Sequence, residues 1–133
     1  MRIGVLRAIG AATSLYGIAV ALRPELLARP SGLADEAGGV PEGTSVALRP
    51  VGWRDAASGA AMVLAPAGPA LATACAVRIA ADLGDAVMLG ATLPGRRRRM
   101  MAVAVSVGWG SLSVLGLALR PRRGASERPG PAE

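Results

Sequence analysis

At 133 residues, with 52% of them hydrophobic, no Phe, two Trp and one Tyr, the chain has the composition of a single helical unit rather than of a strand-rich or multidomain protein. Its net charge of +6 comes from fifteen basic residues, all arginine; they flank apolar runs and have no stacking aromatics beside them, which argues against nucleic-acid binding. The single cysteine, Cys75, excludes an internal disulfide, and with no histidine a zinc or haem site lacks its ligands, so neither cofactor nor metal is expected.

Residues 3–22 form a twenty-residue apolar run with one charge, Arg7, closed by Arg23-Pro24. A helix of that length crosses about 30 Å of hydrocarbon. The same stretch has features of a signal peptide, with Arg2 and Arg7 early and Ala19-Val20-Ala21 as a cleavage-like site. Three further apolar segments follow, and a retained first span is the simpler reading. Residues 24–44 are rich in Pro and Gly and carry Glu25, Asp35, Glu36 and Glu42. They read as a polar loop outside the bilayer, with one short surface helix around 25–28.

No charge occurs from residue 56 to residue 77, but Pro66 and Pro69 interrupt that run and mark a tight turn between two helical arms. The first arm starts at about 46, with Ser45 and Pro50 as the bounds of its start, and ends at 64–65; the second runs over 70–93, before Pro94-Gly95. Residues 100–119 are uncharged, bounded by Arg96–Arg99 and by Arg120-Pro121. The expected fold is therefore all-α, a transmembrane four-helix bundle over 1–120 with spans at about 3–22, 46–65, 70–93 and 100–119. Residues 121–133 hold almost nothing apolar and are expected to be a disordered polar tail. The mean hydropathy of +0.43 also suits a soluble Ala-rich bundle, yet residues 8–22 and 100–119 have no charged stripe to meet water.

Six ionisable residues fall inside these spans: Arg7, Arg54, Asp55, Arg78, Asp82 and Asp85. Each unpaired charge at mid-bilayer costs about 2.5–3.5 kcal/mol, so the six are expected to face inward and pair as an intramembrane polar network. Arg78, Asp82 and Asp85 stand at i, i+4 and i+7 on one helical face, with Cys75 on the same stripe. Arg54 and Asp55 point about 100° apart, so at most one aims straight at that stripe, and Arg54 to Asp82 or Asp85 is the preferred cross-helix pair. Arg7 lies on a stripe with Gly10, Ser14 and Gly17, which places it in the bundle interior with snorkelling to headgroups as the alternative. Ser106, Gly110 and Ser113 form a comparable small-residue stripe on the last span.

Arg7 with Gly10 and Gly17, Pro24, Gly52-Trp53-Arg54-Asp55 with Gly59, and Arg78 with Asp82 and Asp85 together resemble the small four-span bacterial membrane proteins of the DoxX-like group and their uncharacterised relatives. The likeness covers nearly the whole chain to Leu119. It implies a four-helix membrane bundle in the bacterial inner membrane and, for some members, association with redox or thiol-handling partners; the lone Cys75 departs from dithiol chemistry. Four-span drug exporters depend on a Glu in span one, where this chain has Arg7.

The functional expectation is a multi-pass integral membrane protein, more a non-enzyme than an enzyme, with no catalytic residue identified. Its polar network holds the bundle and lines a small-ligand or proton site. An oligomeric proton-coupled transporter and a membrane accessory subunit of a redox system are the alternatives. The expected partners are the lipid bilayer, a homo-oligomer or a membrane redox partner, and no nucleic acid. Arginines near span ends number five on the side of Arg2 and seven on the side of Arg23, a small positive-inside bias toward placing the second group in the cytoplasm.

Overall fold

The structure is a computed structural model that describes residues 1–93 and 95–118; the tail expected from residue 121 lies outside the described residues. Among the described residues all regular structure is helical: α1 (Ile3–Leu22), the short α2 (Glu25–Ala28), α3 (Glu42–Leu64), α4 (Pro69–Thr92) and α5 (Arg96–Ala118). Pro24 ends α1, and Pro69 opens α4 in its first turn, where a missing N–H costs nothing. Gly68, at φ 108°, takes the chain between α3 and α4 through a conformation that side-chain-bearing residues avoid.

Two helices are longer than their apolar runs suggest. α3 begins at Glu42, not near residue 46, and passes straight through Pro50. Pro50 lies on the exposed side, where the carbonyl that its absent N–H leaves unpaired does not have to be buried. α5 begins at Arg96, so the four-arginine run forms its first turn instead of preceding it. Those guanidiniums sit at the positive end of the helix dipole, and this favours anions close by.

The four long helices pack as two close pairs, α1 with α3 and α4 with α5. The α1–α3 pair is antiparallel and meets backbone to backbone, because Gly10 and Gly17 on α1 recur at the same seven-residue interval as Gly52 and Gly59 on α3. A methyl on Gly59 would lie 2.5 Å from Gly10 O and 2.6 Å from Ser14 N, and one on Gly17 would collide with Ala56 N and lie 2.6 Å from Gly52 O. Only residues without a side chain permit that approach, as in close-packed membrane helices. Ser14 Oγ donates to Ala56 O at 2.6 Å across the same seam.

Leu6, Met62, Leu71 and Cys75 form an apolar cluster around the α3–α4 turn. At the opposite end the α2 segment covers the bundle, with Ala28 and Ser31 buried. Tyr16 on α1 rests its ring 5.6 Å from that of Trp109 on α5, and its hydroxyl donates to Leu26 O. Much of the outside of the bundle is apolar. Leu15, Leu22, Val77, Val87, Met88 and Leu115 all face outward.

By length and composition α1 and α5 are apolar enough to cross a membrane. α3 and α4 are long enough, at 23 and 24 residues, but carry Arg49, Arg54 and Asp55 in one and Arg78, Asp82 and Asp85 in the other.

Candidate functional site: a buried arginine–aspartate network

α3 and α4 approach each other less closely than the two pairs do, and they are joined by charge. Arg78, near the middle of α4, sends two nitrogens along its own helix and one across to α3. Its Nε donates to Asp82 Oδ2 at 3.1 Å and its Nη2 to Asp82 Oδ1 at 2.6 Å, a two-point grip one turn along the same helix. Its Nη1 lies 2.6 Å from Asp55 Oδ1 on α3 and 3.4 Å from Ser58 Oγ. Arg54 on α3 reaches back the other way: Nη1 donates to Asp85 Oδ1 at 2.9 Å and Nη2 to Asp85 Oδ2 at 2.6 Å. Arg54 also contacts Asp55 Oδ1, at 3.3 Å from Nε and 3.0 Å from Nη2. Asp55 Oδ1 is thus shared by both guanidiniums and makes one connected network of five side chains.

Burial is graded along it. The side chains of Arg78 and Asp82 are each 4% exposed and that of Asp55 11%, whereas Asp85 is 29% and Arg54 38% exposed. The inner part is therefore an ion cluster removed from solvent, which survives only because each charge meets opposite charge with good hydrogen-bond geometry. Among the described residues no fully buried side-chain nitrogen or oxygen lacks a partner.

The structure brings together Arg54, Asp55, Arg78, Asp82 and Asp85. It corrects one expectation. Arg7 does not enter the interior: it is exposed, and Leu6, one position earlier, takes the buried place beside Gly10 and Thr13. The small-residue spacing continues equally well through residue 6 or residue 7, and the apolar side chain occupies the core. Of Arg54 and Asp55, at most one was expected to aim straight at the α4 stripe, with Arg54 to Asp82 or Asp85 as the preferred cross-helix pair. Both engage α4, because the long arginine side chain curls over to Asp85 while the short carboxylate points at Arg78.

Two cavities flank the network on the α5 side. One, of about 390 Å³, lies between α4 and α5 and is lined by Asp82, Leu83, Ser106, Gly110, Ser111 and Val114, among others. The other, of about 130 Å³, lies under the α2 segment and includes Ser31, Leu48, Asp85, Met88 and Ser106. Gly110 makes room beside Asp82: a methyl there would lie 3.3 Å from Asp82 Cβ. Ser106 borders both cavities. Its place in a small-residue stripe suggested helix packing, and only the three-dimensional arrangement shows it beside the carboxylates.

Cys75 is a free, fully buried thiol in the apolar cluster and takes no part in the network. Among the described residues no three His, Cys, Asp or Glu side chains are arranged to hold a metal ion. Carboxylates and guanidiniums in this setting bind charge or hydrogen-bonding groups. No protein-family model matches the chain, and no curated protein or solved structure is similar to it.

Proposed function

We propose that the chain is a four-span integral membrane protein in which α1, α3, α4 and α5 all cross the bilayer, and in which the Arg/Asp network welds the α1–α3 pair to the α4–α5 pair and lines a small-ligand site. The observation that carries this reading is the inverted polarity of α3 and α4. Beyond the first two turns of α3, where Glu42 and Arg49 are exposed, their charges point inward to one another, while Val46, Trp53, Leu64, Val77, Val87 and Met88 face out. In water the opposite arrangement is the stable one, since exposing charge is favourable and exposing large apolar side chains is not. In lipid, inward charges and outward Leu, Val and Met are what the solvent demands.

Helix length agrees: the 24 residues of α4 reach about 36 Å, enough to span with some tilt. Arg54, Asp55, Arg78 and Asp82 then sit near the bilayer midplane, and Arg7, one turn inside α1, extends to the headgroups. The Arg96–Arg99 turn meets the opposite interface, where lipid phosphates supply the anions that the start of α5 favours. Membership of the DoxX-like group belongs to this same proposal and rests on the sequence likeness alone.

Expression followed by alkaline carbonate washing of membranes tests the reading. The chain is expected in the pellet, released only by detergent. Recovery in the wash, or a monodisperse species in buffer without detergent, would overturn it.

A further inference from the structure

The polar site has an unbalanced charge. Two guanidiniums, Arg54 and Arg78, face three carboxylates, Asp55, Asp82 and Asp85, so the fully ionised network carries one net negative charge. Arg54 reaches the cluster from α3, and Arg78 grips Asp82 from one turn earlier on α4 while its Nη1 points to Asp55 on α3. Among the described residues, the only charged groups lining the two cavities are Asp82 and Asp85. Ser106 shares one cavity with Asp82 and the other with Asp85. It is 9% exposed, borders both cavities, and its hydroxyl takes part in no hydrogen bond with the described residues. An unpartnered hydroxyl on a residue nine-tenths buried, lining the same cavities as the two carboxylates, is an unused acceptor in a negative field, which suits an N–H donor that carries positive charge. Each carboxylate retains acceptor capacity after Arg has taken two positions, because its two oxygens offer about four sites.

Apart from Gly110 and Ser111, the rest of the larger cavity is apolar, walled by Ile79, Leu83, Val107, Val114 and Leu115. Leu83, Val114 and Leu115 are exposed on the outside of the bundle, so the cavity opens sideways between α4 and α5. Under the four-span reading, on which this inference rests, that opening faces acyl chains. At about 390 Å³ the space falls in the range of small-molecule sites.

From these observations we infer that the α4–α5 cavity binds a monocationic lipophilic amine. Its ammonium N–H groups donate to Asp82 and Ser106 and neutralise the surplus carboxylate. Its apolar body lies among Ile79, Leu83 and Val114, and it arrives laterally from the bilayer. A neutral alcohol of the same chain length forfeits the charge-assisted bonds, and an anion meets the carboxylates directly.

The test uses the full chain in phosphatidylcholine nanodiscs. Equilibrium dialysis of decylamine, decanol and decyl sulfate is compared with discs that lack protein. Decylamine is expected to bind saturably at one per chain, with decanol at least about tenfold weaker and decyl sulfate showing no excess over empty discs. Replacing Asp82 endangers folding, so two variants outside the ion network carry the test. Ser111→Phe fills the cavity and is expected to abolish saturable binding. Ser106→Ala removes one acceptor and is expected to weaken it about fivefold. Equal binding of decanol and decylamine, or decylamine binding unchanged by Ser111→Phe, would overturn the inference. Discs that hold the protein and bind no decylamine overturn it alone and leave the four-span reading intact, whereas a chain that does not enter discs removes the reading beneath it.

Discussion

Arg78→Met removes the positive charge shared by Asp55 and Asp82 and puts an apolar chain of similar length in its place. In the native network Arg78 makes a two-point grip on Asp82 and a 2.6 Å contact with Asp55, with both charged partners almost out of solvent. Removing one partner of a buried ion cluster costs about 3–5 kcal/mol, because the remaining carboxylates are stranded rather than because the ion pair was worth that much. Two comparisons separate those explanations. Asp82→Asn leaves Arg78 paired with Asp55 and is expected to cost only about 1–3 kcal/mol. The double variant Arg78→Met, Asp82→Leu removes charge from both sides and restores the network's original surplus of one carboxylate, so it is expected to be more stable than Arg78→Met alone. The assay is unfolding of purified protein in mixed micelles by increasing denaturing detergent, followed by helical circular dichroism. An Arg78→Met variant within about 0.5 kcal/mol of the parent, or a double variant as damaged as the sum of the singles, would refute the reasoning.

Three other outcomes follow from the packing. Gly17→Val is expected to abolish a monodisperse peak in size-exclusion chromatography, because its side chain meets the α3 backbone, while Gly84→Ala, with nothing within 4 Å of the added methyl, is tolerated and raises the unfolding midpoint by up to about 1 kcal/mol of helix propensity. Ser14→Ala removes the 2.6 Å bond to Ala56 O and is expected to cost only about 0.6 kcal/mol in the same unfolding assay, a typical value for a hydrogen bond between membrane helices. Cys75, fully buried among Leu6, Met62 and Leu71, is expected to resist N-ethylmaleimide in the folded protein and to react at the rate of unfolding; prompt labelling would contradict its burial.

The sequence discloses the long helices because their boundaries are chemical: Arg23-Pro24, the Pro66 and Pro69 turn, and Pro94-Gly95; the Arg96–Arg99 run reads as a boundary too but is the first turn of α5. It discloses the α4 half of the network because residues 78, 82 and 85 share a face at fixed intervals, and that geometry is local. The preferred partner of Arg54 could be narrowed to Asp82 or Asp85, and the structure resolves it to Asp85. Periodicity was insufficient where two neighbouring residues compete for one place. Leu6 and Arg7 continue the Gly10–Gly17 stripe equally well on a helical wheel, and the choice between them is made by the helices that surround them. The start of α3 was also hidden, because Pro50 reads as a helix boundary unless it is known to face outward. The cavities, and Ser106 at their junction, depend on how α4 and α5 meet, which no local pattern encodes.

The central claim is that α3 and α4 cross the bilayer along with α1 and α5. It is tested most directly by two single cysteines, Ala37→Cys in the α2–α3 connection and Ala67→Cys in the α3–α4 turn, both at exposed positions, in a Cys75→Ala background. Sealed vesicles of uniform orientation are treated with a membrane-impermeant maleimide before and after lysis. Four spans put residues 37 and 67 on opposite sides, so only one of the two labels before lysis. If α1 and α5 alone crossed, both positions would lie on the same side and would label together, and the account of a midplane Arg/Asp network would fall with that result.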